Sequence, residues 1–455
     1  MLRCIFKAAN PHAVLLIAIL LNGGCTEVKN ETDTPKGCTE FNSNGCPGWF
    51  TSMPVSTWKA IGSNTFSDVG INTPDCSTSN ATITCVIGSH NQTMSLWSGA
   101  IAREDFLDII AQGGGSNGSS DNGVYEFGPF SDDNPHWERS HDPSRLNADE
   151  WSGFNGAYYP DGLPVARHGY EHQTFINELV VDGKDYGNRW FAPWATYAFT
   201  DRPSAGSFAQ AASFKFDNKL TSASSGSYEK ENTFKDFPGS NPAVSNGAGF
   251  AIWDDQAKVV WAMAPNTPRV LYAMDPVKNS WEGPYSEDLA YNIYTSSALD
   301  PERRIIAVFE GTRAKLYFVD VTDDREILQG RKLGATVEVT MTGDLADETR
   351  ADKVSLAYEP VGGTFVGWSK ISATSEVNLY TLKPTANIRD DNGHLISVEW
   401  HWEPVNVQPG GDSPTLREKN GTFGRFQYIR SIHALALVND ADQAVFVFKI
   451  PPEGL

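Results

Sequence analysis

Short apolar runs punctuated by turns make up this chain, and no long stretch carries helical periodicity. Ser95–Ala102 and Phe106–Ala111 are strand-length runs separated by the charged turn Arg103-Glu104-Asp105. Gly113-Gly114-Gly115 supplies a tight loop where a positive φ costs little. Val124-Tyr125-Glu126-Phe127 alternates as a half-buried strand, and Trp137 marks a fourth. Comparable units follow. The second has runs at Tyr170–Ile176, Leu179–Val181, Ala195–Phe199 and Ala211–Phe216, and a polar insertion follows at Asn218–Asn246. The third has Gly249–Trp253, Val259–Ala264, Val270–Met274 and Trp281. The fourth has Ile293–Ala298, Arg304–Phe309, Leu316–Val319 and Thr336–Thr340. The fifth has Val354–Tyr358, Thr364–Trp368, Val377–Leu382 and Ile396–Trp402. The last has three runs only, at Arg425–Ile429, Ala434–Val438 and Val445–Ile450.

Units of roughly 45–70 residues, each with four short strands, describe an all-β chain forming a single β-propeller of six or seven four-stranded blades. The last unit lacks a strand, while Val55–Ile61 is a strand without a unit. Ring closure by this N-terminal strand accounts for both. A seventh blade follows if the second unit and its insertion hide one more.

Composition adds the compartment. Forty glycines, 26 prolines and 11% aromatic residues suit a loop-rich β protein, and a net charge of −20 disfavours a nucleic-acid partner. Arg3 and Lys7 precede the apolar run Ala13–Leu21, which is too short to span a bilayer and has the length of an export-signal core. Leu20-Leu21-Asn22-Gly23-Gly24-Cys25 resembles a lipoprotein processing site, with Asn22 where an aliphatic residue is usual. Residues 1–25 therefore read as a signal, 26–50 as a polar tether and 51–455 as the propeller. The protein is expected outside the cytoplasm: secreted, periplasmic or held at the outer membrane through lipid on Cys25. Cys38, Cys46, Cys76 and Cys85 are an even set in an exported chain, so disulfides are expected. Short spacing favours Cys38–Cys46 and Cys76–Cys85, and no CxxC or His-x-His spacing points to zinc.

The patterns W-S-G-A (97–100), G-G-G (113–115), N-x-V-Y-x-F (122–127), D-P-S (142–144) and D-G-x-P-x-x-R-H-x-Y (161–170) occur in order, with G-x-F-G-R-F-x-Y (421–428) near the end. Together they resemble the kelch-like, galactose-oxidase-type propellers of exported bacterial proteins, over about Trp58 to Ile450. Many such relatives carry histidine after the three glycines, where this chain has Ser116. Within that group the chain resembles propeller-fold ulvan lyases. The resemblance implies a polysaccharide lyase that cleaves an acidic, uronate-containing polymer by β-elimination.

Propeller topology places the loop before each inner strand and the loop between the second and third strands on one face. That face is expected to gather Ser116, Asn117, His141, Arg145, Arg167, His168, Lys184, Tyr186 and Arg425, with Arg189 and Arg202 nearby. Four of the nine histidines, His136, His141, His168 and His172, fall within residues 136–172. β-Elimination needs a cation to neutralise the carboxylate, a base for the α-proton and an acid for the leaving oxygen. Tyr186 is the expected acid, with the role of base open to it as well, His141 and His168 are the base or positioning groups, and Arg202 is the neutraliser. Ser116, Asn117, Arg167, Lys184, Arg189 and Arg425 would bind the polymer. No cofactor or catalytic metal is required, a structural cation is compatible with the fold, and a monomer is expected.

Each residue also has a bland use: a histidine at a strand start is commonly a hydrogen-bonded structural group, and an arginine beside a closing strand commonly pairs structurally. A copper radical oxidase would need a cysteine within the propeller, and none follows Cys85. Glycoside hydrolysis would need paired carboxylates, and none stands out among Asp105, Asp121, Asp142, Asp161, Asp182 and Asp185. A non-catalytic carbohydrate- or protein-binding propeller lipoprotein is the alternative, because thirteen tryptophans serve sugar stacking as well as core packing.

Overall fold

The computed structural model describes residues 46–70, 90–95, 98–103, 108–112, 119, 121–144, 166–176, 179–185, 189–192, 196–198, 212–216, 228–233, 249–263, 271–278, 280–286, 295–310, 314–321, 336–347, 353–369, 378–418 and 420–455. They are all-β in a propeller arrangement. One blade runs Ala100–Arg103, Asp108–Gln112, Val124–Gly128 and His136–His141, each strand antiparallel to the next. The same up-and-down order recurs in Ala251–Asp254, Val259–Met263, Leu271–Asp275 and Ser280–Ser286. It recurs again in Thr295–Asp300, Ile305–Glu310, Lys315–Asp320 and Thr336–Val339. The following blade is Ser355–Glu359, Thr364–Trp368, Leu379–Pro384 and Trp400–Pro404, and Met341–Gly343 adds to its outer strand in parallel. The last is Phe426–Ile429, Ala434–Leu437 and Val445–Lys449, with Trp58–Ile61 antiparallel to Val445–Lys449.

These five blades are accompanied by a further four-stranded sheet, Thr174–Ile176, Arg189–Ala192, Ala212–Phe216 and Tyr228–Thr233. Its strands differ from those expected. Val180–Val181 instead pairs with Lys184–Asp185 in a small hairpin, and Thr196–Ala198 pairs with Arg167–His168. The outermost strand, Tyr228–Thr233, lies inside the polar stretch expected to be an insertion. The reason is physical: an edge strand can be polar on both faces, so it carries no apolar alternation to read.

The inner strands neighbour one another in the order 100–103, 174–176, 251–254, 295–300, 355–359 and 426–429, and the last of these lies beside the first. Between adjacent sheets lie apolar layers. Ile109, Tyr125 and Trp137 pack with Ile432, Ala434 and Val447, and Trp261 and Val259 with Ile306, Val308 and Val319. Trp58, Trp137, Trp261, Trp368, Trp400 and Trp402 are fully buried, so at least these six tryptophans serve packing.

Residues 48–51 form a short helix whose Phe50 enters the first of these layers and whose Trp49 indole donates to the Asp132 carbonyl (2.9 Å). Cys46, just before it, is disulfide-bonded, and the other five cysteines lie outside the described residues. Among the described residues no helix is long and apolar enough to cross a membrane.

The turn from first to second strand has a repeated chemistry. Asp254 accepts the backbone N–H groups of Gln256 and Ala257, Asp300 those of Glu302 and Arg303, and Glu359 those of Val361 and Gly362. Four residues after each acid the chain turns left-handed, at Lys258 (φ 58°), Arg304 (φ 56°) and Gly363 (φ 61°). The acid satisfies turn amides that would otherwise face a packed edge.

Candidate functional site

The six inner strands line a cavity of about 710 Å³. The strand residues that face it are partly exposed: Ile101, Trp253, Ser297, Leu299, Tyr358, Gln427 and Tyr428. In Thr295–Asp300 the partly exposed positions Ser297 and Leu299 alternate with buried neighbours, in the period of two of a strand. Toward the ends of the inner strands the lining includes Asp255, Gln256, Pro301 and Arg430, all exposed, which marks the mouth. The other end is closed by the loops that enter the inner strands. There Tyr170 and Phe423 meet edge to face (5.3 Å), each with a positive φ (40° and 41°) that bulky residues rarely adopt. Gly99 completes this end, since a Cβ there would overlap the carbonyl oxygens of Tyr170 and Phe423.

Glu171 lies at the closed end. Its carboxylate accepts from Ser296 Oγ (2.7 Å), Ser297 N (2.8 Å), Ser297 Oγ (3.3 Å) and Gly424 N (3.1 Å), and its carbonyl accepts from Ala251 N (2.9 Å). Glu171, just before Thr174–Ile176, thereby bonds to Ala251–Asp254, to Thr295–Asp300 and to the entry of Phe426–Ile429. Burial pushes its carboxyl up to about 7, although the four donors pull the other way. Beside it, Gln173 is buried and its amide oxygen has no hydrogen-bond partner among the described residues. The Gln427 amide nitrogen donates to the Gly424 carbonyl. On the wall, burial raises the pKa of the Tyr358 hydroxyl, with Asp300 adding to the effect, so it stays protonated. The Tyr428 hydroxyl is 2.9 Å from His433 Nδ1, and His433 Nε2 donates to the Pro451 carbonyl (2.9 Å).

A second polar group is buried at the far end of the first blade's inner strand. Arg103 pairs with Asp108 and with Glu126 (2.9 Å), and burial pushes Glu126 up to about 7 despite the guanidinium. A third, His90, is held between Asp121 (2.7 Å) and the Phe66 carbonyl (2.8 Å) and stacks on Phe66 (4.1 Å), inside the core. Asp121 also accepts from the Tyr125 hydroxyl (2.7 Å), so this cluster holds the blade together.

Among the described residues, those singled out in the sequence are dispersed. His141 ends the outermost strand of its blade, away from the axis, with Nδ1 donating to the Asp142 carbonyl (2.7 Å). His136 begins the same strand, so the two histidines stand at opposite ends of it, roughly 16 Å apart at the strand rise per residue. Lys184 is exposed on the hairpin that connects the first and second strands of its sheet. That connection lies on the face opposite to the one expected, because the second strand is Arg189–Ala192 and not Leu179–Val181. Arg189 opens that second strand, opposite Ile176, and Arg167 and His168 form a two-residue strand.

Arg425, expected to face a polymer, is fully buried. Its guanidinium donates to the carbonyls of Thr422 (2.9 Å), Met94 (2.6 Å) and Gly421 (2.8 Å), and burial pulls its pKa down to about 10. Ser116, Asn117, Arg145, Tyr186 and Arg202 lie outside the described residues.

The sequence reading passed over Glu171 and Gln173. Both sit in the run Arg167-His168-Gly169-Tyr170-Glu171-His172-Gln173, whose density of polar side chains just before an apolar strand was the available signal.

No protein-family model matches the chain, and no curated protein matches it. Solved structures similar to it include the Swd1 β-propeller domain from Myceliophteria thermophila, at 13% identity, covering 81% of this chain and all of that one, TM-score 0.34. The protein YjhT is similar at 10% identity over 78% of this chain and 94% of that one, TM-score 0.38. A gluconolactonase from Xanthomonas campestris is similar at 10% identity over 88% and 99%, TM-score 0.33. At these scores the propeller assignment rests on the strand order of the chain itself.

Proposed function

We propose that this is an exported propeller of six blades, its ring closed by Trp58–Ile61, that works as a carbohydrate-binding module through the axial cavity. The binding reading is carried by the cavity lining. Its volume of about 710 Å³ suits a small ligand. Trp253, Tyr358 and Tyr428 offer flat faces for the C–H side of a sugar ring, while Gln427 and Ser297 offer groups for its hydroxyls. The blade number is supported by the circuit of six inner strands, and the closure by the register of Trp58–Ile61 on Val445–Phe448. Export, with lipid on Cys25, is supported by the Ala13–Leu21 run and by the disulfide at Cys46.

Calorimetric titration with neutral, amino and acidic oligosaccharides tests the reading. Saturable binding that weakens about tenfold in Trp253→Ala is the expected result. Binding by none of them overturns it. The β-elimination reading is tested in parallel by following the ultraviolet absorbance of unsaturated uronate on ulvan, alginate, pectate and glycosaminoglycans. A rise on one polymer, abolished by Tyr186→Phe, replaces the binding module with a lyase.

A further inference from the structure

We propose that the ligand of the axial cavity carries a protonated amine, as an amino sugar does, and that this amine is held at the closed end by Glu171 and Gln173. The proposal rests on the binding reading above and adds the charge of the ligand.

Three observations carry it. The closed end is built from acceptors. The Glu171 carboxylate lies there with Ser296, Ser297 and Gly424 as its described partners, all neutral. Gln173 is more than nine-tenths buried and lines the cavity, and its amide oxygen has no described partner. A buried acceptor without a donor is costly, and a ligand N–H group would satisfy it.

The charge of the lining points the same way. Its described charged residues are Glu171, Asp254, Asp255 and Arg430. Asp254 is already paired with Arg304 (2.7 Å), and Arg430 is exposed at the mouth. Within the axial cavity the Glu171 carboxylate therefore has no cation among the described lining other than Arg430 at the mouth, Lys353 standing with Glu171 in a separate small pocket. An ammonium ion at the closed end would supply the missing countercharge, and a carboxylate would be repelled. The walls agree, because Trp253, Tyr358 and Tyr428 present aromatic rings that favour a cation over an anion. A uronate fits this end poorly, which separates the cavity from the chemistry expected of a uronate polymer.

The experiment compares three disaccharides of one size on the full chain at about pH 7.5: the glucosamine dimer, its N-acetylated form and neutral cellobiose. The expected result is that the glucosamine dimer binds about tenfold or more tightly than the other two. Glu171→Gln should remove that preference while leaving cellobiose within about threefold. Gln173→Leu, which keeps the charge and removes the acceptor, should weaken the amine and spare cellobiose, and it decides the matter if Glu171→Gln does not fold. Equal binding of the three overturns this inference and leaves the binding module standing. Preference retained in both variants also overturns it. Binding of none of the three, with no binding in the wider panel, overturns both.

Discussion

Arg425 and Glu171 are buried charges handled in different ways. The arginine gives its donors to three backbone carbonyls, which hold together the Gly421–Thr422 turn and the carbonyl of Met94. Arg425→Met leaves those carbonyls unsatisfied, and a loss of about 3 kcal/mol is expected in urea denaturation. Glu171 titrates where it can be observed. Its folded value of about 7 stands above the ordinary 4.5 because burial disfavours the charged form, and Glu126 behaves likewise. Stability from a raised carboxyl is fully present below the unfolded value and is lost as pH rises through the folded one. The protein should therefore lose stability between about pH 4.5 and pH 7, by on the order of 3 kcal/mol per group. Glu171→Gln, a mimic of the neutral form, should flatten that decline when denaturation midpoints are compared across the window. The exposed carboxylates Asp68 and Asp390 are shifted down by hydrogen bonds and act oppositely, losing their contribution only at lower pH.

At the scale of the element, the recurring device is the acid that closes the inner hairpin. Asp254 does more than its counterparts, since it also accepts from Trp261 Nε1 (2.8 Å) and from Arg304 in the next blade. Asp254→Ala frees two turn amides, a buried indole and a buried guanidinium, and should cost about 4 kcal/mol. Asp275→Ala removes a similar turn cap, with only an exposed lysine beside it, and should cost about 1 kcal/mol. Guanidinium denaturation of the two variants measures the difference. The strands themselves were legible where both faces are buried. Thr364–Trp368 occurs where it was read, because a run packed on both sides is apolar throughout. Tyr228–Thr233 was not legible, because an outer strand is under no such demand.

For the whole molecule, the pairing of Trp58–Ile61 with Val445–Lys449 brings strands nearly 400 residues apart into one sheet. Trp58 is buried, and its indole donates to Asn378 (3.0 Å) in the neighbouring blade. Trp58→Ala should cost about 4 kcal/mol by cavity formation and loss of that bond. A chain lacking residues 1–62 should show a broadened thermal transition, with proteolysis starting within 426–455, if this strand completes the ring. A sharp transition at an unchanged temperature would remove the strand from that role.

Fold class followed from the sequence alone. Local alternation and turn residues decide where strands run, and a missing strand at one end with a spare one at the other suggests their pairing. The position of a site is a different matter. Which face a loop occupies depends on the parity of the strands before it, so one strand placed wrongly near residue 180 carried Lys184 to the other face. Whether a polar residue is exposed depends on what packs over it. Arg425 disappears into the backbone for that reason, while Glu171 and Gln173 come to the axis because six strands far apart in sequence converge there. Alternation is a local property of the chain, whereas convergence and burial exist only once distant segments meet.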